Sequence, residues 1–384
     1  MSLSEIRQKI DEIDSQLLPL FIERMKCSEQ VAKNKIEQNL PIFNESRENQ
    51  ILDKVAKSAD DFDTEAKMLY TVMMSLSRMR QHKLMNSGVS CRDTIVAAMK
   101  RTAPLEVLSA GKTVACVGSG SYANEAAITL FPNRELAFQS SHNDVFCALE
   151  EGKADIGILP VENSSAGSVA EVYDLIMKYR FSIIAAATVQ VRHCLAAPQG
   201  ASMKSVHTIT SHPQALSQCS EFIKAHGYQP IQFVNTAMAA KKIAEINDCT
   251  SGVICSELAA EQYGLKILQK NVQNLQNNRT RFVAIKKEMA IPTEANKISL
   301  CFSLDHKTGS LYSVLGRFAM HGLNLTKIES RPAHVISEDS PYDFQYDFYL
   351  DFTGKVTDEK TLDLICELSS ELNNFSFLGN YVEE

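Results

Sequence analysis

The chain has 384 residues, of which 45% are hydrophobic and 22% charged, an ordinary globular composition with enough length for two or three domains. Its 39 Lys and Arg residues against 46 Asp and Glu give a formal net charge of −7, so the chain as a whole does not attract nucleic acid or an anionic membrane. No apolar run approaches the ~18 residues of a membrane span, and the opening stretch indicates an acidic amphipathic helix rather than a signal peptide. We therefore expect a cytoplasmic protein with no nucleic-acid or membrane partner.

The ten cysteines and nine histidines show no spacing typical of metal ligands. The cysteines occur singly, without a CxxC pair, and most lie in apolar strings such as VACVG; the histidines form no HxxxH or HExxH pattern. Such cysteines are typical of reduced side chains in the core of a cytosolic protein. We expect neither a metal site nor a cofactor.

Three sections of the chain differ in periodicity, and a multidomain protein is predicted. Residues 1–88 are helical throughout, and 89–111 form a linker with a short helical run. Residues 112–288 alternate short β-like runs with helical ones, which predicts an α/β domain with largely parallel strands. Residues 296–384 follow the order strand, helix, strand, strand, helix, strand, which is typical of a ferredoxin-like α+β domain.

A single helix is predicted from Ser4 to about Glu37, roughly 50 Å long at ~1.5 Å per residue. Its apolar stripe runs the full length and needs partner surface, so an intertwined homodimer is the expected arrangement. Pro19 interrupts the pattern. Because an interior proline costs about 3 kcal/mol and usually kinks a helix, we expect a bend there in one continuous helix.

Cations lie on this apolar stripe. Six apolar residues fall within about 60° of Arg24 when each residue turns ~100°: Ile6, Ile10, Ile13, Leu17, Phe21 and Val31. Lys35 is about 20° from Arg24 on the same scale. No acidic residue of the helix shares this phase, and burying an unpaired charge costs several kcal/mol, so an anion is expected between the two cations. Arg7 lies about 100° round and about 25 Å away, and could serve only the pocket of a second copy.

The next helices carry further polar residues at apolar positions. Arg47 begins an i, i+4, i+8 series with two aliphatic residues, and Asn44 precedes it as an N-cap. Ser77 and Gln81 form a polar i, i+4 pair among apolar neighbours. Each residue alone has a simpler interpretation as a surface side chain. Together they predict a pocket for a small polyanion.

Residues 1–88 resemble the AroQ-type chorismate mutase domain, and one series of residues carries the resemblance: Arg7, Arg24, Lys35, Arg47, Glu48, Ser77 and Gln81. The resemblance implies an all-helical dimer that rearranges chorismate to prephenate in two pockets, each completed by Arg7 of the other chain. Such a pericyclic step relies on geometry and electrostatics. The arginines would clamp carboxylates, Lys35 and Gln81 would donate to the ether oxygen, and Glu48 would hold a hydroxyl. Asn44 departs from the family, which commonly has Asp at this position. An amide, unlike a carboxylate, carries no charge.

In the middle section, polar clusters recur at predicted strand ends, over residues 118–127, 160–169, 211–219, 235–240 and 277–282. Ligands of open α/β sheets collect at the carboxyl ends of strands, where helix N-termini offer free N–H groups. The run ENSSAGS suits an anion, but it suits ordinary N-capping equally well. We expect no dinucleotide site, since no ribose-binding acid follows the glycines at the right distance.

These clusters resemble the prephenate dehydratase signatures: a glycine loop, PxENSSxG, SHPQAxxQC and TRF. The resemblance implies two α/β subdomains around a cleft, similar in outline to periplasmic binding proteins, in which prephenate loses carbon dioxide and hydroxide to give phenylpyruvate. Hydroxide leaves poorly unless a donor protonates it; Thr280 is the implied contact and Glu162 a second candidate acid. The residues implied to hold carboxylates, orient the ring or wall the pocket are Asn163, Ser164, Ser165, Ser211, Gln214, Arg281 and Phe282. The loop GSGSYA is one residue shorter than is usual in the family.

The string from 308 to 332 resembles the ACT regulatory domain through its GxL and ESRP motifs. The resemblance implies feedback inhibition by phenylalanine bound between paired domains, at the following residues: Gly309, Leu311, Asn324, Glu329, Ser330, Arg331 and Pro332. Protection of a sheet edge is the simpler interpretation of Arg331 and Pro332.

Together the resemblances span nearly the whole chain and predict a bifunctional chorismate mutase/prephenate dehydratase of phenylalanine biosynthesis, with chorismate, prephenate and phenylalanine as its small-molecule partners. We expect a homodimer that could pair further into a tetramer. Two alternatives stay open: a non-catalytic phenylalanine sensor with decayed sites, and a monofunctional dehydratase with a helical dimerisation arm.

Overall fold

The computed structural model describes residues 1–85, 88–306, 309–332 and 346–383. The helices are α1 Leu3–Gln38, α2 Glu45–Ser58, α3 Asp63–Met85, α4 Val89–Met99, α5 Leu105–Leu108, α6 Tyr122–Leu130, α7 His142–Glu150, α8 Ala170–Tyr179, α9 Pro213–Gln218, α10 Ser220–His226, α11 Thr236–Ile246, α12 Glu257–Gln262, α13 Ser310–Met320 and α14 Glu359–Glu371, with a short 3-10 turn at Asp60–Phe62. The strands are β1 Thr113–Val117, β2 Glu135–Gln139, β3 Ile156–Asn163, β4 Gly167–Ser168, β5 Ser182–Gln190, β6 Cys194–Ala197, β7 Thr208–Ser211, β8 Gln229–Gln232, β9 Ser251–Cys255, β10 Lys266–Gln269, β11 Arg279–Lys286, β12 Lys297–Ser303, β13 Leu325–Pro332, β14 Tyr346–Thr353 and β15 Asn373–Glu383.

The first helix, α1, is a single 36-residue helix, which confirms the prediction of one continuous element. Ser2 and Glu5 form a reciprocal capping box at its start, and Asn39 ends it in the left-handed conformation, so both ends have the signals that stop fraying. Pro19 lies inside the helix without ending it. None of the described helices combines the length and hydropathy needed to span a membrane.

The apolar stripe of α1 is exposed in the single chain. Ile6, Ile10, Ile13 and Leu17 keep between 41% and 55% of their surface accessible. In α1 only Ser28 and Ala32 are buried, and α2 has no buried residue. Both helices pack on α3. This much exposed aliphatic surface is typical of an interaction face.

The chain divides into two compact units. The first comprises Met1–Val96, Cys301–Leu350 and Val356–Phe375; the second comprises Ala97–Leu300, Asp351–Lys355 and Ser376–Glu384. The predicted linker contains the helices α4 and α5, and Ile95 and Ala98 of α4 are fully buried. That segment is therefore packed structure.

The second unit contains two sheets, and helices pack against the strands of each. One has the strand order β15-β5-β11-β3-β1-β2, with β4 paired to β3; the other has the order β10-β6-β9-β7-β8. Strand β1 is parallel to both its neighbours, but β11 is antiparallel to both β3 and β5. The prediction of largely parallel strands is wrong in this respect, because β11 returns to the first sheet between two strands that run the opposite way. The short strands β2, β6 and β10 were not predicted.

The core of the first of these sheets includes Val114, Ile156, Ile158 and Ala284, with the helix α6 packed against it through Ala126. The second sheet has its own clusters, around Leu195 and Ile209 on one side and around Val253 and Ala240 on the other. Strands buried on both faces are typical of α/β architecture.

In the last segment the elements follow the order β12, α13, β13, β14, α14, β15, and neighbouring strands pair in the order β13-β14-β12-β15. The predicted third strand begins at Phe344, and its first two residues lie outside the described residues. Within β13, exposed and partly buried residues alternate, as in a strand with one solvated face.

Candidate functional sites

The predicted polar pair on α3 contacts the cation of α1. Arg24 Nη1 donates to Ser77 Oγ and to the Met73 carbonyl, each at 3.3 Å. The hydroxyls of Ser77 and Ser28 are 2.5 Å apart. Gln81 is buried, which excludes the interpretation as a surface residue, and its Nε2 donates to the Ser77 carbonyl. Its Oε1 is buried without a hydrogen-bond partner among the described residues.

Lys35 lies in the last turn of α1. Its Nζ donates to the Ile42 carbonyl at 2.5 Å. Burial lowers the pKa of Lys35 and the charge of Arg78 lowers it further, while Glu48 acts in the opposite direction. Lys35 therefore lies close enough to Arg78 and Glu48 to interact with both charges.

Neither Arg24 nor Lys35 forms an ion pair with an Asp or Glu of the described chain; their hydrogen-bond partners are a hydroxyl and carbonyl oxygens. A half-buried cation bound only by neutral groups keeps a field that attracts an anion. This is the feature that the helical phase predicted.

Arg78 was missed by sequence reasoning, although it follows Ser77 directly. It is buried, and its Nη1 donates to both carboxylate oxygens of Glu48, at 2.6 Å for Oε2. Glu48 is thus paired within the chain, which the predicted role for this carboxylate did not include. A basic residue directly after Ser77, the first member of the polar i, i+4 pair, was the available signal.

The remaining mutase candidates are placed at the surface of the single chain. Asn44 Oδ1 accepts from the Arg47 N–H at 3.0 Å, which confirms Asn44 as the N-cap of α2. The side chains of Arg47 and Arg7 are exposed. The single chain does not bring Arg7 to Arg24, in agreement with the separation expected along α1.

A second cluster forms where β3 ends and β11 begins. Asn163 Nδ2 donates to Thr280 Oγ1 at 2.8 Å and to Asn278 Oδ1 at 2.9 Å. Asn163 Oδ1 accepts from the Ser165 hydroxyl at 2.7 Å. Ser164 Oγ accepts from the Arg279 N–H at 2.9 Å. The antiparallel register pairs Asn163 with Thr280, so the two motifs meet because these strands are neighbours.

Several members of this cluster were not named as site residues from the sequence, although Gln218 lies in the SHPQAxxQC motif. Gln218 of α9 donates from Nε2 to Ser165 Oγ at 3.1 Å, and its Oε1 is 3.0 Å from His193 Nε2. His193 Nδ1 is 3.0 Å from the Tyr122 hydroxyl. Burial lowers the pKa of His193, with the Gln218 contact opposing the shift. The Tyr122 hydroxyl also donates to the Arg192 carbonyl at 2.7 Å. A neutral His193 that donates from Nε2 to Gln218 Oε1 fixes the orientation of the Gln218 amide.

Asn278 is the other missed member. It is buried, its Oδ1 accepts from Asn163, and its Nδ2 has no hydrogen-bond partner among the described residues. A buried unpaired amide donor costs free energy unless a ligand or water satisfies it. It is therefore a candidate ligand contact beside Thr280.

The glycine loop is packed closely against α12. Gly120 has φ +77°, and a Cβ added there would lie 2.9 Å from Ala259 Cα. The Ser256 hydroxyl donates to the Gly120 carbonyl at 2.7 Å. Only glycine combines this φ with so close an approach of two backbones.

Other predicted dehydratase residues lie apart from the hydrogen-bonded cluster. Ser211 is fully buried and its hydroxyl donates to the Ile254 carbonyl, and Gln214 is exposed on the first turn of α9. Phe282 packs into the core of the first sheet. The register pairs Glu162 with Arg281, and directly opposed residues share one face of a sheet.

Arg281 differs from its prediction. Its guanidinium donates to Asp351 Oδ2 at 2.6 Å, to Glu383 Oε1 at 2.5 Å and to the Tyr381 hydroxyl at 2.8 Å. Two carboxylates of the chain already occupy it, so the assignment to a substrate carboxylate is corrected. Consecutive residues of a strand point to opposite faces, and the TRF triplet therefore separates Thr280 from Arg281.

The predicted effector residues fall on two elements. Gly309, with φ +83°, is the N-cap of α13, and Leu311 follows in its first turn, partly buried. Glu329, Ser330, Arg331 and Pro332 end β13, and Glu329 Oε2 lies 3.2 Å from Lys327 Nζ. Asn324 is exposed just before β13.

One group of the first unit has the composition of a metal site: the ligand atoms of His82, Glu367 and Glu371 lie within 4.8 Å of one another. Arg317 is 2.9 Å from Glu367 and also pairs with Glu371. Because Arg317 already pairs with both carboxylates, this cluster is suited to a network of ion pairs.

Family models match two parts of the chain. The model for chorismate mutase type II matches residues 6–82, and the model for prephenate dehydratase matches residues 114–290. The first match contains the α1–α3 cluster, which we define as Arg24, Lys35, Ser77 and Gln81. The second contains the β3–β11 cluster, which we define as Asn163, Ser165, Asn278 and Thr280. The two matches therefore define an enzyme with a chorismate mutase part and a prephenate dehydratase part.

Similar proteins are named for both activities. A bifunctional chorismate mutase/prephenate dehydratase of Aquifex aeolicus is 30% identical over 99% of this chain and 97% of its own length. One of Buchnera aphidicola from Schizaphis graminum is 30% identical over 86% of this chain and 84% of its own length. The chain belongs to the bifunctional chorismate mutase/prephenate dehydratase family.

Solved structures match about 70% of the chain. Prephenate dehydratase from Arthrobacter aurescens in complex with L-Phe has a TM-score of 0.63 and 27% identity, covering 70% of this chain and 89% of that one. A structure described as GqqA, a novel type of quorum quenching acylase, also has a TM-score of 0.63, with 28% identity, covering 71% of this chain and 98% of that one.

Proposed function

We propose that the α1–α3 cluster binds chorismate and rearranges it to prephenate, and that the β3–β11 cluster converts prephenate to phenylpyruvate. The observation that carries the first assignment is the pair of cations, Arg24 and Lys35, held by neutral groups only. The observation that supports the second is the hydrogen bond from Asn163 to Thr280. Neither step calls for a metal or a cofactor.

In the mutase step, the protein acts through preorganised charges. Arg24 and Arg47 bind the substrate carboxylates, a task suited to the forked guanidinium. Lys35 and Gln81 donate to the ether oxygen as negative charge develops on it. Ser77 orients Arg24, and Glu48 contacts the substrate hydroxyl.

The mutase pocket is completed by a second copy of the chain. Arg7 is exposed and far along α1 from Arg24, and the apolar stripe beside it is exposed as well. Pairing two chains along this stripe buries the aliphatic residues and brings Arg7 of one chain to the pocket of the other. A tetramer formed from two such dimers is compatible with this arrangement.

In the dehydratase step, the leaving hydroxide requires a hydrogen-bond or proton donor. Because Asn163 Nδ2 donates to Thr280 Oγ1, a lone pair of that oxygen is occupied and its O–H hydrogen is available to the leaving group. Ser164 and Ser165 bind the substrate with Gln214, and the hydrogen bond from the Ser211 hydroxyl to the Ile254 carbonyl fixes the chain just before α9. Glu162 remains the second candidate acid, and Phe282 supports the pocket wall.

For the last segment we propose a ferredoxin-like ACT domain that binds phenylalanine and inhibits the enzyme. The motif residues at the start of α13 and the end of β13 support this proposal, as does the similar A. aurescens dehydratase in complex with L-Phe. The effector acts through tighter binding to a less active arrangement. A cytoplasmic location is proposed from the cysteine usage of the sequence.

One assay tests both activities. Purified full-length protein is mixed with chorismate, and the loss of chorismate and the absorbance of phenylpyruvate in alkali are followed. We expect both signals, and added phenylalanine should reduce the second. Absence of both products would favour a phenylalanine sensor, and phenylpyruvate from prephenate but not from chorismate would favour a monofunctional dehydratase.

A further inference from the structure

A chain of buried charges in the first unit connects the mutase cluster to α14. Arg78, on α3, bonds both oxygens of Glu48 through Nη1, and its Nε lies 3.7 Å from Glu371 Oε1. The Arg78 side chain is only 8% exposed. Its Cζ is 5.4 Å from the centre of the Phe43 ring. Arg78 thus lies between a predicted catalytic-site carboxylate and a carboxylate that is 323 positions away from it in sequence (371 minus 48).

Glu371 is itself held firmly. His82 Nε2 lies 2.5 Å from Glu371 Oε1, and Arg317 Nη2 donates to Oε2. Burial alone would raise the pKa of Glu371, but the His82 hydrogen bond and the charges of Arg317, His82 and Arg78 lower it to about 2. The carboxylate is therefore ionised at neutral pH and attracts the Arg78 guanidinium, whose buried Nε has no hydrogen-bond partner among the described residues.

This arrangement has a consequence for a dianionic substrate. An unpaired Glu48 would repel substrate carboxylates and could rotate freely. Paired with Arg78, its charge is compensated, its orientation is fixed, and lone pairs remain for a hydroxyl. The Arg78 charge also acts on Lys35.

We propose that Arg78 is a positioning residue for the mutase step, acting through Glu48, and that Glu371 of α14 holds Arg78 in place. The last segment of the chain then contributes to the mutase rate through Arg78. This inference rests on the mutase site assigned under the proposed function.

The test uses the full-length protein and measures mutase kcat and KM, dehydratase kcat and the thermal unfolding midpoint for each variant. We expect Arg78→Met to lower mutase kcat/KM about tenfold and to raise KM, because an uncompensated Glu48 repels the substrate. Glu371→Gln should lower mutase kcat/KM about threefold, and both variants should keep dehydratase activity within about twofold. The matched control is Arg80→Met, because Arg80 lies on the same helix but is half exposed and pairs with Glu29.

A double-mutant cycle separates positioning from a merely structural role. In a Glu48→Gln background, Arg78→Met should cost less than about threefold, since the group through which it acts has lost its charge. Arg78→Lys keeps the charge and should recover part of the activity. An undiminished effect in the Glu48→Gln background, or an Arg78→Met variant as active as Arg80→Met, would overturn the inference.

If Arg78→Met does not fold, Arg78→Lys and Glu371→Gln decide the question, and mutase kcat/KM within about twofold of wild type in both would contradict the inference. Failure of the underlying site is recognised separately. Arg24→Ala with full mutase activity would reject the site, whereas loss in Arg24→Ala with no effect of Arg78→Met or Glu371→Gln would reject only the role of Arg78.

Discussion

The two clusters differ in how complete they are within a single chain. Asn163, Ser165 and Thr280 bond one another at the junction of two neighbouring strands, so one chain can hold this cluster rigid. Arg24 and Lys35 lack carboxylate partners among the described residues, and the stripe of α1 beside them is exposed. Under the proposed function, a substrate and a second chain complete this cluster of cations, which lies on an exposed helix. In this protein, the site built on a sheet is therefore complete within one chain, whereas the site built on a helix is not.

Removing the cation of Arg24 tests most strongly whether the two clusters act as separate sites. Arg24→Ala should lower mutase turnover at least about 100-fold, because a charged donor to the substrate is lost from a partly buried site. Dehydratase turnover should stay unchanged. Parallel rate assays on one preparation measure both, with Lys26→Ala, an exposed position of α1, as the control. Equal loss of both activities in folded protein would contradict separate sites.

The converse change acts on the sheet. Thr280→Ala should lower dehydratase turnover about 100-fold and spare the mutase, because the donor to the leaving hydroxide is lost. Thr280→Ser keeps the hydroxyl and should keep most of the activity, while Thr129→Ala, at an exposed threonine, should have no effect. Thr280→Ala with normal kcat would leave Glu162 as the remaining candidate.

The sequence was sufficient to predict those parts of both clusters that depend on neighbouring residues or on short motifs. Helical phase was sufficient to place Arg24 and Lys35 on the stripe, and cap chemistry was sufficient for Asn44. The motifs around Asn163 and Thr280 were sufficient to bring these residues together. Arg78 was missed because its partner Glu371 comes from a distant segment. Arg281 was misassigned because its partners, Asp351 and Glu383, depend on which strands become neighbours, and the sequence pattern does not contain that order.

Acid titration tests how strongly the cations around Glu371 stabilise the first unit. The pKa of Glu371 is lowered from its ordinary 4.5 to about 2, so its contribution to the free energy of unfolding is fully present above about pH 4.5 and is lost as the pH falls towards 2. The shift corresponds to about 3 kcal/mol. Burial raises the pKa of Glu367, which opposes this trend.

Comparing wild type with Glu371→Gln isolates the contribution of Glu371. Calorimetric scans from pH 6 to pH 2.5 should show a steeper fall of the unfolding midpoint in wild type than in the variant. Parallel curves for the two proteins would show that Glu371 is not held by its cationic neighbours.

The smallest expected effect concerns the start of α2. Asn44→Ala removes the N-cap hydrogen bond and should lower the free energy of unfolding by about 1 kcal/mol, whereas Asn44→Asp restores a cap of equal strength. Thermal unfolding measures the difference. If Asn44→Asp is as unstable as Asn44→Ala, the cap is not what makes Asn44 important.

Mixing two inactive variants tests the central claim, that the mutase pocket is shared between chains, most directly. Arg7→Ala and Arg24→Ala subunits are unfolded together in equal amounts and refolded, and mutase activity is measured. Random pairing gives heterodimers in half of the molecules, and one of the two pockets in each is intact, so about a quarter of wild-type activity is expected. Activity no higher than that of the separate variants, in dimers shown to have exchanged chains, would contradict a pocket completed by Arg7 of the second chain.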